Sequence, residues 1–186
     1  KTALVLGAGG FIGSHMATRL KSEGYWVRGV DIKDTEYSPT SCDEFITGNL
    51  TDADLVRRVI RFEGEQTFDE IYQYAADMGG AGYIFSGDND SEVMYNSATV
   101  NLNLLKAQLD LNNEKGVNKT KIFYSSSACM YPEYAQMEVD NPGLREADAF
   151  PAGPDSEYGW EKLFSERLYA TFNRNHGIPV RVARFH

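Results

Sequence analysis

Short apolar runs alternate with longer segments of helical period along this chain. Strand-like runs occupy Thr2–Leu6, Trp26–Asp31, Glu44–Thr47, Glu70–Tyr74, Lys121–Ser125 and Val180–Arg184. Between several of them, apolar residues recur every three or four positions, at Phe11–Glu23, Asp52–Phe62, Ser91–Leu111 and Asp155–Asn175. Such alternation is typical of βαβ units, because parallel strands need a crossover connection. The pattern predicts an α/β fold over residues 1–186, a doubly wound parallel sheet in one domain.

Two segments interrupt this alternation. Ala76–Asn89 is rich in Gly and Asp, and Tyr131–Gly153 contains three prolines, so both are predicted to be connections rather than elements. Long loops inside a compact domain are usually functional. The two longest predicted helices carry more apolar surface than one sheet face needs, and we expect a homodimer to use the excess. The chain stops directly after a predicted core strand, so we expect a C-terminal portion to be missing from it.

Composition narrows the function classes. The 186 residues are 42% hydrophobic and 24% charged with a net charge of −9, and no basic stripe or membrane-length apolar run occurs, so we expect neither nucleic acid nor membrane as a partner. Cys42 and Cys129 lack a CxxC spacing and no export signal is visible, which favours the cytoplasm. His15, His176 and His186 stand far apart, so no metal site is expected.

A glycine-rich run follows the first strand. Gly7-Ala8-Gly9-Gly10-Phe11-Ile12-Gly13 lies between that strand and the first helix, the setting that a dinucleotide fingerprint requires. Gly7 permits the tight turn, Gly10 lets backbone amides approach a pyrophosphate, and Gly13 lets helix and strand pack closely. Asp31 ends the second strand, where a carboxylate accepts ribose hydroxyls and favours NAD over NADP. The pattern predicts an NAD-binding Rossmann domain, and the alternative is a turn that merely joins two elements.

Tyr158 and Lys162 lie four residues apart on the last predicted helix, so both side chains emerge on one face. A lysine cation stabilises a phenolate, and we expect Lys162 to lower the pKa of Tyr158 and make it a base. Ser127 follows the strand Lys121–Ser125, at the edge where parallel sheets bind ligands, and can hydrogen-bond a reacting oxygen. A chance pair on a helix surface is the alternative for Tyr158 and Lys162. Ser125 and Ser126 are interpreted as polar residues that leave a strand.

Together these motifs resemble the extended short-chain dehydrogenase/reductase family over essentially the whole chain. Within it, Ala75-Ala76-Asp77-Met78-Gly79-Gly80 and Ser126-Ser127-Ala128-Cys129-Met130-Tyr131-Pro132-Glu133 are most similar to the GDP-mannose 3,5-epimerases, and Arg184-Phe185-His186 agrees. The resemblance implies catalytic roles for Ser127, Cys129, Tyr158 and Lys162. It implies substrate contacts from Gly79, Gly80, Ser127 and Cys129. It implies that NAD is held by Gly7, Gly10, Phe11, Ile12, Gly13, Asp31, Asn49, Leu50, Tyr74, Ala75, Ala76, Tyr158 and Lys162.

The implied reaction is transient NAD-dependent oxidation of a nucleotide sugar at C4, proton exchange at C3 and C5, and re-reduction. Cys129 would act on one face of the ring, and the family pattern places its partner lysine beyond residue 186, in the absent substrate lobe. Four alternatives stay open. Cys129 is a buried structural thiol, or the enzyme is a 4-epimerase or 4,6-dehydratase in which Cys129 replaces a threonine as a polar contact. The glycines of the loop Asp77–Tyr83 form a flexible lid without contacts, or the chain binds NAD without performing chemistry.

Overall fold

A computed structural model describes residues 1–35, 38–63, 66–137, 140 and 143–186. Within these residues the strands are β1 (Thr2–Leu6), β2 (Trp26–Asp31), β3 (Glu44–Thr47), β4 (Arg61–Phe62), β5 (Gln66–Thr67), β6 (Glu70–Gln73), β7 (Lys121–Ser127) and β8 (Val180–Phe185). The helices are α1 (Phe11–Ser22), α2 (Ala53–Val59), α3 (Ala81–Phe85), α4 (Asp90–Lys115), α5 (Glu133–Gln136) and α6 (Glu157–His176). Short 3₁₀ turns occupy Ala128–Met130 and Glu146–Ala149.

The main sheet has six strands in the order β3-β2-β1-β6-β7-β8, and every neighbouring pair is parallel. The strand order reverses direction between β1 and β6, which is the switch point at which open parallel sheets bind ligands. The predicted doubly wound α/β class is therefore confirmed.

Strand β1, in the interior of this sheet, is buried on both faces. Along β1, Ala3 and Val5 pack towards α1, whereas Leu4 and Leu6 belong to the larger core under α2, α4 and α6. Because both faces are covered, β1 is continuously apolar instead of alternating. The side of β6, β7 and β8 away from the larger core carries half-buried rings in mutual contact, those of Tyr72, Tyr74, Phe123 and Phe185.

One predicted helix was too long. The segment Asp52–Phe62 was expected to be helical throughout, but α2 ends at Val59, and Arg61–Phe62 pairs with Gln66–Thr67 as a small antiparallel ribbon. The Arg28 guanidinium donates to the carbonyl oxygens of Val59 (2.8 Å) and Arg61 (2.6 Å). These bonds satisfy carbonyls at the end of the helix, and the chain turns there.

Both predicted connections contain secondary structure, and the expectation that they were loops throughout was wrong. Ala76–Asn89 includes α3, and Tyr131–Gly153 includes α5 and the turn Glu146–Ala149; residues 138, 139, 141 and 142 of the latter lie outside the described residues. The other helices shifted by a few residues. In particular α4 continues to Lys115, where Gly116 in the left-handed region ends it.

Candidate active site

The glycine loop brings three pieces of backbone into contact at the switch point. Gly7 has a φ of +83°, and a Cβ there would lie 2.7 Å from the amide nitrogen of Ala75, just after β6. A Cβ at Gly13 would lie 2.0 Å from the carbonyl oxygen of Gly7. Gly10 precedes α1 and no side chain caps that helix. The N-terminal N–H groups of α1, which helix geometry leaves without intrahelical partners, therefore face the loop, as phosphate binding requires.

A fourth glycine of the loop, Gly9, has a role that sequence reasoning missed. The backbone N–H of Gly9 donates to Oδ2 of Asp31 at 2.9 Å, and a Cβ on Gly9 would approach the Asp31 carboxyl carbon to 3.0 Å. The backbone N–H of Lys33 lies 3.3 Å from Oδ1. The carboxylate of Asp31 is thus fixed by the loop itself. The signal was the second glycine of the run, which neither the turn, the pyrophosphate nor the packing of helix on strand requires.

The middle of the site is held by amide side chains. Nδ2 of Asn103 donates to the carbonyl oxygens of Leu50 (3.1 Å) and Thr51 (3.0 Å). Oδ1 of Asn49 accepts from the backbone N–H of Thr51 at 3.0 Å, so this oxygen already has a hydrogen-bond partner in the local turn.

Tyr74 follows β6 at the same edge of the sheet. Burial raises the pKa of Tyr74 to about 12, so its phenol stays protonated.

One pocket of about 830 Å³ runs along this edge of the sheet. Its volume lies within the range of about 300–1,000 Å³ expected for ligand sites. All thirteen predicted cofactor residues line it, as do the predicted substrate residues Gly79 and Ser127, whereas Gly80 and Cys129 do not. The wall is formed by Gly7, Gly10, Phe11, Ile12, Gly13, Asp31, Ile32, Lys33, Gly48, Asn49, Leu50, Thr51, Tyr74, Ala75, Ala76, Asp77, Met78, Gly79, Asn96, Val100, Ser125, Ser126, Ser127, Tyr158, Lys162 and Phe185.

The far end of the pocket joins the end of β7 to the start of α6. Ser156 caps α6 by accepting from the N–H of Gly159, so that Tyr158 lies in the first turn with Lys162 one turn later. Nζ of Lys162 donates to the carbonyl oxygen of Ser125 at 3.0 Å and lies 5.6 Å from the centre of the Tyr158 ring. Ser125 and Ser126 also line the pocket, because β7 continues to Ser127 instead of ending at Ser125 as predicted.

The expected effect of Lys162 on Tyr158 is not observed, and this expectation is corrected. Burial raises the pKa of Tyr158, and the nearby hydroxyl of Ser127 opposes this by lowering it. Lys162 is itself fully buried, and burial lowers its own pKa while the charge of Glu161 raises it. Desolvation therefore dominates both groups, a consequence of tertiary packing that spacing alone does not reveal.

Cys129 lies beside Tyr158 rather than on the pocket wall. It is half-buried in an apolar cluster with Tyr158, Ile84 and Val93, and its backbone N–H lies 3.2 Å from Oγ of Ser127. A Cβ on Gly159 would lie 2.2 Å from the Cys129 carbonyl oxygen. The glycine thus lets α6 and the 3₁₀ turn approach closely enough to place the thiol near the phenol.

The predicted substrate loop is anchored rather than open. Gly80 precedes α3 and a Cβ there would meet nothing within 4 Å, whereas one on Gly79 would press on Tyr83 at 2.8 Å. The carboxylate of Asp77, on the pocket wall, accepts from Nδ2 of Asn96 (2.7 Å) and from the hydroxyl of Tyr83 (3.0 Å). Asp77 and Asn96 are pocket residues that sequence reasoning did not assign. Asn96 carries no local signal, because it is one polar residue among many on a helix.

The described residues contain no group of three or more His, Cys, Asp or Glu side chains that could hold a metal ion. The helices seen in this part of the chain include none long and apolar enough to cross a membrane.

A profile of the NAD dependent epimerase/dehydratase family matches residues 3–186. The chain belongs to this family. It is 41% identical over 184 residues to GDP-mannose 3,5-epimerase of Arabidopsis thaliana and 42% identical to GDP-mannose 3,5-epimerase 1 of Oryza sativa subsp. indica. Each match covers 98% of this chain and 45% of the relative, so the chain spans about half the length of the curated relatives it matches.

Solved structures of two UDP-glucose 4-epimerases have the same fold. UDP-glucose 4-epimerase from Brucella ovis in complex with NAD superposes with a TM-score of 0.80 at 21% identity, covering 99% of this chain and 51% of that one. The complex of Thermus thermophilus UDP-glucose 4-epimerase with NAD gives 0.75 at 24% identity, covering 99% and 54%. At these identities the likeness supports the family's fold rather than a substrate.

Proposed function

We propose that the pocket binds NAD and that the protein is a nucleotide-sugar epimerase, with GDP-mannose as its substrate and C3 and C5 as the carbons inverted. The residues present fit the cofactor. Gly7 and Gly13 leave no room for side chains beside the start of α1, where a diphosphate would be held, and Asp31 presents a fixed carboxylate to a ribose. The observation that carries the finer assignment is the position of Cys129 against Tyr158, in a chain 41% identical to a GDP-mannose 3,5-epimerase.

The proposed roles follow from these positions. NAD, when bound, supplies the acceptor and donor of a hydride at C4 of the sugar. Tyr158 takes the C4 hydroxyl proton and later returns it, while the Ser127 hydroxyl holds the reacting oxygen and lowers the pKa of the phenol. Oxidation at C4 acidifies the protons on C3 and C5, and the Cys129 thiol exchanges them on one face of the ring. The second acid–base group is not among residues 1–186 in the family pattern.

The test uses the full protein with NAD and GDP-mannose in deuterated water. We expect deuterium at both C3 and C5 of the recovered sugar nucleotide, read by mass spectrometry and NMR. Label at neither carbon, from a preparation that binds NAD, would rule out 3,5-epimerisation. A Tyr158→Phe control should lose the exchange and keep NAD binding, because it lacks only the proton acceptor for C4 oxidation.

A second candidate is a 4-epimerase or 4,6-dehydratase acting on another nucleotide sugar. The observation in its favour is that Cys129 packs in an apolar cluster and does not line the pocket. A Cys129→Ser variant separates the two reactions. Deuterium exchange should fall about 100-fold or more if the thiol is an acid–base group, because general acid–base catalysis contributes about that much. Full activity in this variant would favour the second candidate.

Binding and chemistry need separate measurement, because the chain spans 45% of its curated relatives. Titrating the 186-residue chain with NAD reports on the pocket, and turnover assayed in parallel reports on catalysis. Binding without turnover by the full protein would identify a non-catalytic NAD-binding protein.

We also propose that the protein is a homodimer in the cytoplasm. Tyr95 and Leu102 on α4 and Trp160 and Phe164 on α6 are exposed large apolar side chains, and both cysteines are free thiols, which fits a reducing compartment. A monomeric mass in solution scattering would count against the dimer.

A further inference from the structure

A buried chain of polar side chains starts at the pocket wall. The side-chain amide of Gln73 binds both backbone groups of Ala75: Oε1 accepts from the N–H and Nε2 donates to the carbonyl, each at 2.9 Å. This double contact fixes which end of the amide is nitrogen. The second hydrogen of Nε2 therefore points at Oδ1 of Asn101, also at 2.9 Å. Asn101 must then be oriented with its oxygen towards Gln73.

The same polarity continues across the helices. Oδ1 of Asn101 also accepts from the hydroxyl of Tyr169, so its Nδ2 faces the other way, towards Oγ of Ser165 at 3.0 Å. The Ser165 hydroxyl in turn donates to Oε1 of Glu161 at 2.5 Å. From Gln73 to Asn101, from Asn101 to Ser165 and from Ser165 to Glu161, each bond donates in the direction of Glu161. Such a chain stabilises a carboxylate at its end, because ionised acceptors make the stronger hydrogen bonds.

The carboxyl group of Glu161 lies in an unusual environment. The residue is 1% exposed, and its Oε2 has no hydrogen-bond partner within the described part of the chain. It lies on the catalytic helix between Tyr158 and Lys162, and Lys162 is 4% exposed. Among the described residues, the Lys162 ammonium donates a hydrogen bond only to the carbonyl oxygen of Ser125. An isolated ammonium in such a position is strongly disfavoured unless an opposite charge compensates it.

We propose that Glu161 is a positioning residue that supplies the counter-charge for Lys162, so that the ammonium rather than the neutral amine faces the pocket beside Tyr158. The polar chain from Ala75 holds Glu161 in its ionised state for this purpose. The inference rests on the proposed function in treating Lys162 as part of the NAD site. It adds a residue that touches neither cofactor nor sugar and acts through its neighbour.

Several other titratable groups face this pair and enter the same equilibrium. From α6 these are Tyr158 and Tyr169, from β7 Tyr124, whose ring centre lies 5.1 Å from Nζ of Lys162, and from the 3₁₀ turn Cys129. Burial raises the pKa of all three tyrosines, so they remain neutral while Lys162 carries its charge. Burial also raises the pKa of Glu161, opposed by Lys162, Ser165 and Asn101.

The experiment measures the titration of Lys162 directly. Lysine ¹³Cε signals of the 186-residue chain are followed against pH by NMR, with the Lys162 signal assigned from a Lys162→Met variant. We expect Glu161→Gln to move the Lys162 midpoint to lower pH by about one unit or more, because the substitution removes the buried charge that raises the Lys162 pKa. The substitution keeps a side-chain oxygen for Ser165 and Asn101. The matched control Glu157→Gln, on the same helix, should leave the midpoint unchanged.

A midpoint that Glu161→Gln leaves within about 0.3 units of the wild type would overturn the inference, since the expected shift from a nearby charge is larger. If this variant does not fold, the wild-type chain still decides, through the ¹³Cδ signal of Glu161. If Glu161 ionises at a lower pH than that at which Lys162 deprotonates, the proposal is supported. If Glu161 stays protonated up to the pH at which Lys162 deprotonates, the proposal is refuted. NAD titration of the same samples is independent, so a chain that fails to bind NAD removes the proposed function without changing this result.

Discussion

The two ends of the pocket are built from different parts of the chain. At the phosphate end, the contacts that set the shape are between backbone atoms, as where Gly13 meets the Gly7 carbonyl. At the catalytic end, side chains with shifted pKa values define the site, and Lys162 and Glu161 are both buried there. The phosphate end depends on glycines, which have no side chain to separate the backbone segments. The catalytic end depends on ionisable side chains that the fold buries.

This difference decides how each end responds to substitution. Where two backbone segments touch, an added Cβ overlaps with backbone atoms, so even a small substitution damages both the fold and the nucleotide site. A buried ionisable side chain can be replaced by a neutral one of the same shape, which preserves the fold and changes only the protonation of the site. The predictions below separate these two responses.

The largest effect is expected from Gly13→Ala. The added Cβ would lie 2.0 Å from the Gly7 carbonyl oxygen, and neither backbone segment can move without displacing α1 from β1. We expect the free energy of unfolding to fall by about 3 kcal/mol, as for severe overpacking, and NAD binding to be lost. Urea unfolding and NAD titration measure the two effects.

Gly82→Ala is the matched control for this substitution. A Cβ at Gly82, in α3, would meet nothing within 4 Å, and alanine is the better helix former by up to about 1 kcal/mol. This variant should be as stable as the wild type or more so. If Gly13→Ala behaves in the same way, close backbone packing does not define the phosphate end.

Gly159→Ala carries the steric argument to the catalytic end. Its Cβ would lie 2.2 Å from the Cys129 carbonyl oxygen, so the 3₁₀ turn must move away from α6. We expect a loss of about 2 kcal/mol in the free energy of unfolding. Alkylation of Cys129 should become faster relative to Cys42, measured by site-resolved mass spectrometry. Gly153→Ala, whose Cβ would make an ordinary contact of 3.7 Å with Pro132, should change neither quantity.

The phosphate end could be predicted from sequence because its determinants are local. Glycine spacing and an acid after the next strand fall within one βαβ unit, and the bounds of β1, β2 and β3 agree with the prediction. The catalytic end could be predicted only in part. Tyr158, Lys162 and Ser127 were found from spacing and strand position, but Gln73, Asn101 and Ser165 look like ordinary polar residues. Asn101 on α4 and Ser165 on α6 are buried where the two helices pack together, and Gln73 on β6 is hydrogen-bonded to Asn101. Burial of Tyr158 reverses the expected direction of its pKa.

A smaller effect is expected from Asp31→Asn, which removes a charge and keeps the shape. The amide can still accept from the N–H of Gly9, so the loop should hold and stability should change little. NAD affinity should fall about tenfold, the usual loss for a hydrogen bond to a charged group, and discrimination against NADP should weaken. Titration with both nucleotides measures this. Asp34→Asn, three residues further on, serves as the control, and an unchanged ratio of the two affinities would contradict the role of Asp31.

The smallest effect is a pH dependence that the backbone contacts of the phosphate end cannot show, because backbone groups do not titrate. Burial raises the pKa of Glu161 in the folded protein, so the folded state keeps this proton at pH values where the unfolded chain has lost it. The resulting stabilisation is present below the ordinary glutamate pKa of about 4.3 and is lost as the pH rises through the folded value. Glu161→Gln has no such proton. The stability of the wild type relative to this variant, from urea unfolding, should therefore decrease as the pH rises above about 4.3 and through the folded pKa of Glu161. The same comparison for Gly159→Ala should stay flat, since overlap with a carbonyl oxygen does not change with protonation.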